Sequence, residues 1–510
     1  MSMAIAKDIE EVRIEDTTGS LNGLDSDNPV TRYHLFSAQE AAAIEKTLVR
    51  KIDLRILPVL VLIYILNYLD RNSITQARLY GLQKDAHVEG ALWNTAISIL
   101  SVGYIAMQIP STLFMPRTRP SRFLPICMIV WAVVSGCTAF VTSTAGLLTV
   151  RFFLGIVEAP FFPCAIYYLS CWYKKNELGT RMALLVSGLV LSNAFAGLIS
   201  AGILKGMAGV GNLHPWQWLF ILEGLATLVV AGSAIFLLAD YPRDTKWLTE
   251  DERTVAQARP ALDSGSEDAL DEEKIGIWSS LWQAMKDIRV WIFACMQMAI
   301  TASISYSHFF PTLVQELGFK NSTVTLLLTS PPYIAAFFWA VSLAWTADRK
   351  QVRSTFAGTS AVMALVGGII IVALPQEYKW PRYAMMFLLV CGTYGVYCTT
   401  YTWMSSTIVK PPAKRAAAIG IANSLANLAS FNGNYFWLDK YEPAFTQSWV
   451  VVIAFLTLCL VCIVALRVIL SRSNKKLEKI EQEGVAGSGR RVGFLDKELS
   501  VLPQGFRYVI

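Results

Sequence analysis

Twelve apolar stretches follow one another along the chain, separated by polar connections. A helix needs about 20 apolar residues to cross a bilayer, and each stretch has roughly this length. We number them stretches 1 to 12, at residues 54–72, 91–114, 123–142, 147–170, 181–203, 216–239, 290–312, 324–347, 354–374, 383–404, 415–437 and 448–467. The pattern predicts an all-α membrane protein with 12 transmembrane helices.

A long polar segment divides the stretches into six and six. It runs over 240–289, contains the sequence DSGSEDALDEEK, and is predicted to be a linker that is too polar to be buried. The predicted domains are a tail over 1–53, a bundle over 54–239, this linker, a bundle over 290–470 and a tail over 471–510. We expect the tails to be flexible or to lie along the membrane surface.

The two halves resemble each other at an offset of 234 residues. The matched pairs are Tyr167 and Tyr401, Cys164 and Cys398, Arg181 and Arg415, Ala183 and Ala417, and Asn193 and Asn427. With six helices on each side of the linker, this match predicts two repeated bundles related by an axis along the membrane normal. The same offset takes Arg151 to Met385 and Glu158 to Gly392, so the repeat does not extend to these charges.

Basic residues alternate between the loops. Four loops hold three each, namely Arg117, Arg119 and Arg122; Lys174, Lys175 and Arg181; Arg349, Lys350 and Arg353; and Lys410, Lys414 and Arg415. Loops rich in Lys and Arg remain on the cytoplasmic side of a membrane. We therefore predict that both termini are cytoplasmic. The polar opening residues indicate no cleavable signal peptide, which leaves stretch 1 to target the protein.

The composition excludes several classes of protein. A chain with 54% hydrophobic and 16% charged residues is not typical of a soluble enzyme, and its net charge of +6 lies in loops beside the bilayer rather than on a nucleic-acid surface. The sequence has no glycine-rich phosphate cradle, no nucleophile with a plausible base and no cluster of metal ligands. We predict no catalytic residue, no cofactor and no metal, with energy supplied by an ion gradient or by the substrate's own gradient.

Stretch 4 carries the two most informative charges, Arg151 and Glu158. They are seven residues apart, which places them on one helix face about 10 Å apart along the axis. A charge at bilayer depth costs roughly 2.5–3.5 kcal/mol on insertion scales, so it is kept where a partner or a wet cavity compensates for it. We predict that Glu158 couples transport to protons and that Arg151 attracts an anion. The alternative is a structural ion pair with a neighbouring helix.

Charges also lie in stretches 1 and 6. Asp70 and Arg71 close stretch 1, where they either gate or line the outer cavity or simply lie at the membrane edge. Asp70 is a second candidate for proton coupling, beside Glu158. Glu223 lies seven residues into stretch 6, and we predict a structural role for it, with its carboxylate bonded to an adjacent helix.

Several uncharged polar residues are candidates for the same site. His308 can titrate near neutral pH, although a lone histidine in an apolar helix is more often a satisfied hydrogen-bonding residue. Asn193 and Asn427 serve either as interhelical hydrogen bonds or as substrate contacts. Tyr167 and Tyr401 either pair across a cavity or pack between helices. Asn321 begins an N-glycosylation sequon in a predicted outer loop.

Four segments of the chain resemble a known transporter family. These are RKIDLRILPVLVLIYILNYLDRNSITQARL, RFFLGIVEAPFFPCAIYYLSCWYKKNELGTRMAL, HPWQWLFILEG with DYPRDTKWLTEDER, and the terminal GFRYVI. They are similar to segments of the major facilitator superfamily, within it to the fungal anion:cation symporter group that includes allantoate, nicotinate and pantothenate permeases. The likeness covers about residues 45–470 and the last few.

The resemblance implies two six-helix bundles that form a major facilitator fold, with alternating access to a central cavity lined by helices 1, 4, 7 and 10. It implies that Arg151 and Gly155 occupy a helix-4 motif associated with proton coupling. It also implies that Asp348, Arg349 and Arg353 belong to a cytoplasmic gating motif.

The chain departs from the family at some positions. Ala344 stands where the gating motif usually has glycine, and the loop MPRTRPSR lacks the aspartate of that motif, as is usual in this group. The segment from Ser73 to Gln76 differs from the common Asn-Ile-Gly-Asn form, which leaves the substrate open.

The favoured function is import of a small organic anion, a carboxylate of vitamin or ureide type, together with protons, by a monomer in a fungal plasma membrane. One alternative is proton-driven efflux of a secondary metabolite, which would need a wide aromatic cavity rather than a narrow basic one. The other is a nutrient sensor that moves no solute.

Overall fold

The computed structural model describes residues 29–114, 118–264, 277–319, 321–350, 352–408, 412–441, 444–482 and 508. Within these ranges the chain is almost wholly helical, and each of the twelve stretches forms a helix. We label these helices α1 (Leu57–Arg78), α2 (Ala91–Phe114), α3 (Pro120–Cys137), α4 (Thr144–Glu158 and Phe161–Ser170), α5 (Lys175–Gly206), α6 (Pro215–Leu237), α7 (Ile288–Ile304 and Phe310–Glu316), α8 (Ser322–Lys350), α9 (Ser354–Ala373), α10 (Lys379–Thr407), α11 (Pro412–Gly433) and α12 (Thr446–Gln482).

The all-α membrane fold is confirmed. Ten of the described helical segments are long and apolar enough to cross a membrane. The other two long helices, α2 and α11, lie where stretches 2 and 11 predict them and pack against each other. Five further helices, at Pro29–Tyr33, Ala38–Arg55, Leu82–Asp85, Glu250–Ser264 and Ile277–Lys286, are shorter or more polar.

Helices α1 to α6 form one bundle and helices α7 to α12 form the other. In the first bundle α1 packs against α5 and α6, α2 against α4, and α3 against α6. In the second bundle α7 packs against α11 and α12, and α10 packs against α8 and α9. The bundles meet where α5 packs against α8 and where α2 packs against α11. These two seams enclose the space between the halves.

Glycines allow two of these helix crossings, α2 with α4 and α5 with α8, to be very close. A Cβ on Gly155 of α4 would lie 2.1 Å from the carbonyl oxygen of Leu100 in α2, and a Cβ on Gly103 would lie 2.2 Å from that of Phe152. A Cβ on Gly197 of α5 would lie 2.1 Å from the Thr329 hydroxyl of α8. Small residues let membrane helices approach to backbone contact.

Two helices differ from their predicted form because of local sequence. Helix α4 is divided after Glu158, next to Pro160, which cannot donate a helical hydrogen bond. Helix α7 is interrupted by a 3₁₀ turn over Ser305–Phe309, just before Pro311. Helix α1 extends past the predicted residue 72 to Arg78. Its last turns are polar but buried, so hydropathy alone underestimates its length.

We call the end of the molecule that contains the α1–α2 connection the distal end. There the halves are joined by hydrogen bonds. The side-chain nitrogen of Asn94 donates to the carbonyl oxygens of Asn434, at 2.9 Å, and Trp437, at 3.0 Å. The hydroxyls of Tyr80 and Thr323 lie 3.2 Å apart. These contacts hold the distal ends of the two bundles together.

The opposite end, which we call the proximal end, carries helices Ala38–Arg55 and Glu250–Ser264. The expectation that the linker is too polar to be buried is wrong for the latter helix. Its Arg259 is 1% exposed. The guanidinium donates to Glu45 at 3.1 Å and to Glu177 of α5 at 2.6 Å. Burial is possible because two carboxylates offset the loss of water.

Parts of the predicted tails are also packed against the bundles. The helix Ala38–Arg55 contacts α1 and the helix Glu250–Ser264. Near the other terminus, Tyr508 is 5% exposed and its backbone exchanges two hydrogen bonds with Asn474, at 2.9 and 3.0 Å. Its hydroxyl accepts a hydrogen bond from Arg289 at 3.0 Å. The expectation of flexible or surface-bound tails therefore fails for these segments.

Candidate functional site

A cavity of about 120 Å³ lies between the two bundles. Its walls come from α1, α2, α4 and α5 of the first half and from α7, α10 and α11 of the second half. Both arginines of the predicted site, Arg71 and Arg151, lie on its wall, together with Asn193, His308 and Asn427. Five of the predicted residues, from five different helices, therefore line the same space.

Arg71 forms an ion pair with Glu158. The Nε and Nη2 atoms of Arg71 donate to Oε2 of Glu158 at 3.0 and 2.7 Å. The Glu158 side chain is fully buried, whereas the Arg71 side chain is 16% exposed. The rings of Tyr68 and Tyr104 flank the guanidinium, with centroids 4.9 and 5.0 Å away. The arginine faces the cavity and the carboxylate lies behind it.

Arg151 is held in a different way. It is 2% exposed, and both of its terminal nitrogens donate to the carbonyl oxygen of Arg71 at 3.2 Å. Its Nε donates to the carbonyl oxygen of Ala96 at 3.4 Å. Within the described residues Arg151 forms no ion pair, so neutral carbonyl groups are its hydrogen-bond partners. A buried positive charge of this kind attracts an anion.

The second half contributes polar groups with free hydrogen-bonding capacity. The side-chain nitrogen of Asn427 and the hydroxyl of Thr301 are buried, line the cavity, and have no hydrogen-bond partner in the described part of the chain. Buried polar groups are normally paired in folded proteins. Two donors directed into a cavity opposite two arginines are therefore suited to a polar ligand.

The repeated asparagines occupy related places in the structure. Asn193 of α5 and Asn427 of α11 line the same cavity from opposite halves. Asn193 accepts a hydrogen bond from Asn72 at 2.9 Å and donates to the hydroxyl of Tyr394 at 3.4 Å. It therefore joins helices of both bundles. Asn193 thus makes interhelical hydrogen bonds and also lines the cavity.

Asp70 points away from the cavity although it precedes Arg71. Its Oδ2 accepts hydrogen bonds from the Trp131 indole at 3.2 Å and from the Thr227 hydroxyl at 3.1 Å. The residue is 1% exposed, inside the first bundle between α1, α3 and α6. Glu223 lies in the same interior and contacts Ser73. The structure therefore separates Asp70 from Arg71, Arg151 and Glu158.

The two tyrosines do not pair across the cavity. The ring of Tyr167 packs against Tyr241, with centroids 6.4 Å apart. Tyr401 packs against Tyr397 at 5.8 Å, and its hydroxyl donates to Asn423 at 3.3 Å. Both tyrosines therefore pack against neighbours in their own half of the chain.

The sequence interpretation missed several polar residues of the cavity wall, among them Asn72, Thr301 and Tyr394. Each is a polar residue in or beside an apolar stretch, which was a usable signal. Many other hydroxyl groups in the same stretches bond only to their own helix, as Thr399 does to Gly395. The two kinds of residue cannot be separated without the helix packing.

Comparison with known proteins gives the same fold. The family model described as Major Facilitator Superfamily matches residues 60–433, which is well over half of the chain. The chain belongs to the Major Facilitator Superfamily. As a member of this superfamily it is a membrane transporter and not an enzyme.

Relatives and solved structures of the superfamily agree with this assignment. The chain is 30% identical over 416 residues to the Uncharacterized transporter C11D3.18C of Schizosaccharomyces pombe, covering 80% of this chain and 82% of that one. It is 26% identical over 437 residues to the High-affinity nicotinic acid transporter of Saccharomyces cerevisiae, covering 86% and 80%. A bacterial homologue of the human lysosomal transporter Spinster has the same fold, with a TM-score of 0.61, 14% identity and coverage of 85% and 98%.

Arg349 and Arg353, which the family resemblance assigns to a gating motif, lie at the proximal end. The Arg349 guanidinium is 3.8 Å from the ring centroid of Trp345. Arg353 donates to the carbonyl oxygen of Thr402 and, at 3.0 Å, to the Ser406 hydroxyl. These contacts join the α8–α9 turn to the end of α10. The side chain of Asp348 lies outside the described part of the structure.

Asn321 lies at the distal end and begins α8. Its side-chain oxygen accepts hydrogen bonds from the backbone nitrogens of Thr323 and Val324, at 3.0 and 3.3 Å. This is the geometry of a helix cap. The use of Asn321 for glycosylation stays a prediction.

Proposed function

We propose that this transporter imports a small organic anion, a carboxylate of vitamin or ureide type, by proton symport through alternating access. The observation that carries the proposal is the basic cavity. Arg151 lies on its wall without an ion-pair partner among the described residues, next to Arg71. An arginine binds a carboxylate through two parallel hydrogen bonds, so one or both arginines can take up the anion.

The size of the cavity supports a small substrate. At about 120 Å³ it is well below the roughly 300–1,000 Å³ of sites for drug-sized ligands. A bulky secondary metabolite would require a much wider site. This observation favours anion uptake over metabolite efflux.

The ion pair of Arg71 and Glu158 gives a physical route to coupling. An anion that binds Arg71 competes with the Glu158 carboxylate for the same guanidinium. Glu158 is buried, and an ionised carboxylate that loses its partner there is costly, so it takes up a proton. Anion and proton are then loaded together, and the near-neutral cargo lowers the cost of a dry, closed intermediate. Asp70 is the second candidate for proton coupling.

One relative supports this proposal. It is named as a high-affinity transporter of nicotinic acid, which is a small monocarboxylate. We place the proximal end in the cytoplasm and the protein in a plasma membrane, because the basic loops lie at this end. The partners are the anion, protons and the lipid bilayer, with no nucleic acid, and we propose that the protein acts as a monomer.

The test is radiolabelled uptake in yeast cells that lack their own acid permeases, with nicotinate, pantothenate, allantoate and dicarboxylates. We expect accumulation that is stronger at acidic external pH and is lost with a protonophore. If no acid is taken up while the cells gain resistance to a toxin, the protein is an exporter. If uptake is absent and a nutrient response is present, the sensor alternative is correct.

Glu158→Gln tests the coupling step. The amide cannot bind a proton, so we expect proton-driven accumulation to be lost while exchange of internal for external anion continues. Glu223→Gln, a buried carboxylate away from the cavity, is the matched control. Accumulation at the full rate by Glu158→Gln would show that Glu158 is not the coupling residue.

A further inference from the structure

Glu223 is a buried acid that the transport cycle described above does not use. It lies on α6, is 6% exposed, and forms no ion pair with any residue that the structure describes. Its Oε2 contacts the hydroxyl of Ser73 on α1, and its Oε1 has no partner within the described ranges. A buried carboxylate with so little compensation needs an explanation.

The hydroxyl of Ser73 has a single proton but two close acceptors. It lies 2.7 Å from the carbonyl oxygen of Leu69, one turn earlier in α1, and it also contacts Glu223. A hydroxyl donates one hydrogen bond and a carbonyl oxygen donates none. A proton shared between the two acceptors would give two weakened hydrogen bonds. Both contacts reach full strength when Ser73 donates to Leu69 and a protonated Glu223 donates to Ser73.

The neighbouring charge favours the same state. Asp70 lies one turn before Ser73 and interacts electrostatically with Glu223. Its Oδ2 accepts two hydrogen bonds, from Trp131 and Thr227, which stabilise a negative charge on Asp70. Within the described residues Glu223 contacts one hydroxyl, that of Ser73. Two like charges in one dry interior repel strongly, so one of the pair binds a proton.

We propose that Glu223 holds a fixed proton, which it donates to Ser73, and that it is a positioning residue for the turn of α1 that carries Asp70 and Arg71. Two adjacent contacts then join α6 to this turn, Thr227 to Asp70 and Glu223 to Ser73. This turn places the guanidinium of Arg71 against Glu158 and the carbonyl oxygen of Arg71 against Arg151. The proton on Glu223 stays in place throughout the cycle, so the residue is not a third coupling site.

Infrared spectroscopy of the purified full chain in lipid nanodiscs tests the proton directly, without any substrate. We expect a carbonyl stretch of a protonated carboxylic acid at neutral pH that disappears in Glu223→Gln and remains in Asp70→Asn. In Ser73→Ala the same band should move, because its hydrogen-bond acceptor is gone. This variant favours the helix, which guards against a folding failure. A spectrum without a band that responds to Glu223→Gln or Ser73→Ala would overturn the proposal.

The effect of Glu223 on transport is measured with the uptake assay, and this part of the test rests on the proposed function. Glu223→Gln keeps a donor for Ser73, so uptake should stay within about twofold of wild type with an unchanged pH profile. Glu223→Leu removes the donor, and uptake should fall by about tenfold or more. A loss of uptake or a shifted pH profile in Glu223→Gln would show that Glu223 exchanges its proton during transport. If wild type transports none of the acids, the proposed function fails, while the infrared result still decides the state of Glu223.

Discussion

The two cavity arginines have different surroundings, although they touch each other. Arg71 is neutralised by Glu158, whereas Arg151 has neutral carbonyl partners. In the proposed cycle Arg71 exchanges Glu158 for the anion, whereas Arg151 has no ion-pair partner among the described residues to give up. We therefore propose that Arg151 attracts the anion, and that Arg71 then releases Glu158 and binds the anion in its place.

Arg151→Lys tests this assignment. A lysine keeps the charge but cannot make two parallel hydrogen bonds to a carboxylate. We expect the KM for the anion to rise about 10- to 100-fold, because a hydrogen bond to a charged group contributes about 1.5–3 kcal/mol. Arg382→Lys, at a buried arginine beside a separate small pocket, is the control and should leave KM unchanged. Equal effects of the two substitutions would contradict the assignment.

The sequence identified the cavity residues better than it identified their partners. Charged residues are rare in apolar helices, so Arg151, Glu158 and Arg71 were conspicuous in the sequence. Because Asp70 and Arg71 are adjacent, the sequence groups them, either at the outer cavity or at the membrane edge. On a helix, adjacent residues point about 100° apart, and here Asp70 faces α3 and α6 while Arg71 faces the cavity. Partners on other helices depend on packing, which a single sequence does not give.

At the scale of elements, the tight contact of α2 with α4 positions the site. Gly155 lies one turn after Arg151 and directly against the backbone of α2. Arg151 also bonds to the backbone of Ala96 on α2. The closeness of these helices therefore sets how deep Arg151 lies.

Gly155→Ala should separate α2 from α4. The added methyl would lie 2.1 Å from the Leu100 carbonyl oxygen, and we expect a loss of about 1–3 kcal/mol in stability, as for overpacked cores. Gly202→Ala in α5 is the control, because nothing lies within 4 Å of its Cβ position. The measurement is the thermal unfolding of each variant in detergent. Equal stability of the two variants would mean that α2 and α4 separate easily.

The proximal cluster at the start of α7 makes stability depend on pH. Asp287 accepts from Arg289 at 2.7 Å and from Lys414 of α11 at 2.9 Å. Burial raises the pKa of Asp287, but the two cations outweigh this effect and hold the pKa below its ordinary value of 3.8. The ionised Asp287 therefore stabilises the folded protein fully above about pH 3.8, and this stabilisation is lost as the pH falls further.

As the pH is lowered below about 3.8, we expect wild type to lose more thermal stability than Asp287→Asn. Above about pH 3.8, the variant should be less stable than wild type by an amount that does not change with pH. Glu377→Gln, at an exposed distal loop, is the control for the loss of a single carboxylate. Parallel curves for wild type and Asp287→Asn would show that the ion cluster does not form.

At the scale of the whole molecule, the distal hydrogen bonds bias the orientation of the two bundles. Asn94→Ala removes two of them, at about 0.5–1.5 kcal/mol each, so the ratio of distal-open to distal-closed forms should rise by about 5- to 150-fold. Spin labels at Glu89 and Glu377, on a chain without other cysteines, report the distance between the distal ends. Thr346→Ala, which removes a hydrogen bond within α8, is the control. An unchanged distance distribution would mean that the seams alone set the orientation.

The twelve helices and two bundles followed from the sequence because hydropathy and helix length are local properties. The packed linker helix did not, since Arg259 reads as a solvated charge until Glu45 and Glu177 are seen around it. The distal contacts between the bundles likewise join residues more than 300 positions apart, such as Asn94 with Asn434. Such long-range contacts leave no pattern in the neighbouring sequence.

The linker is anchored to both bundles. Arg259 fixes its first helix to α5, and Asp287 fixes its end to α11. Both ends of the linker therefore move with the bundles to which they are bound, one end with each half. Any rocking of one bundle against the other has to slide α5 over α8, where Gly197 lets the two helices approach to backbone contact.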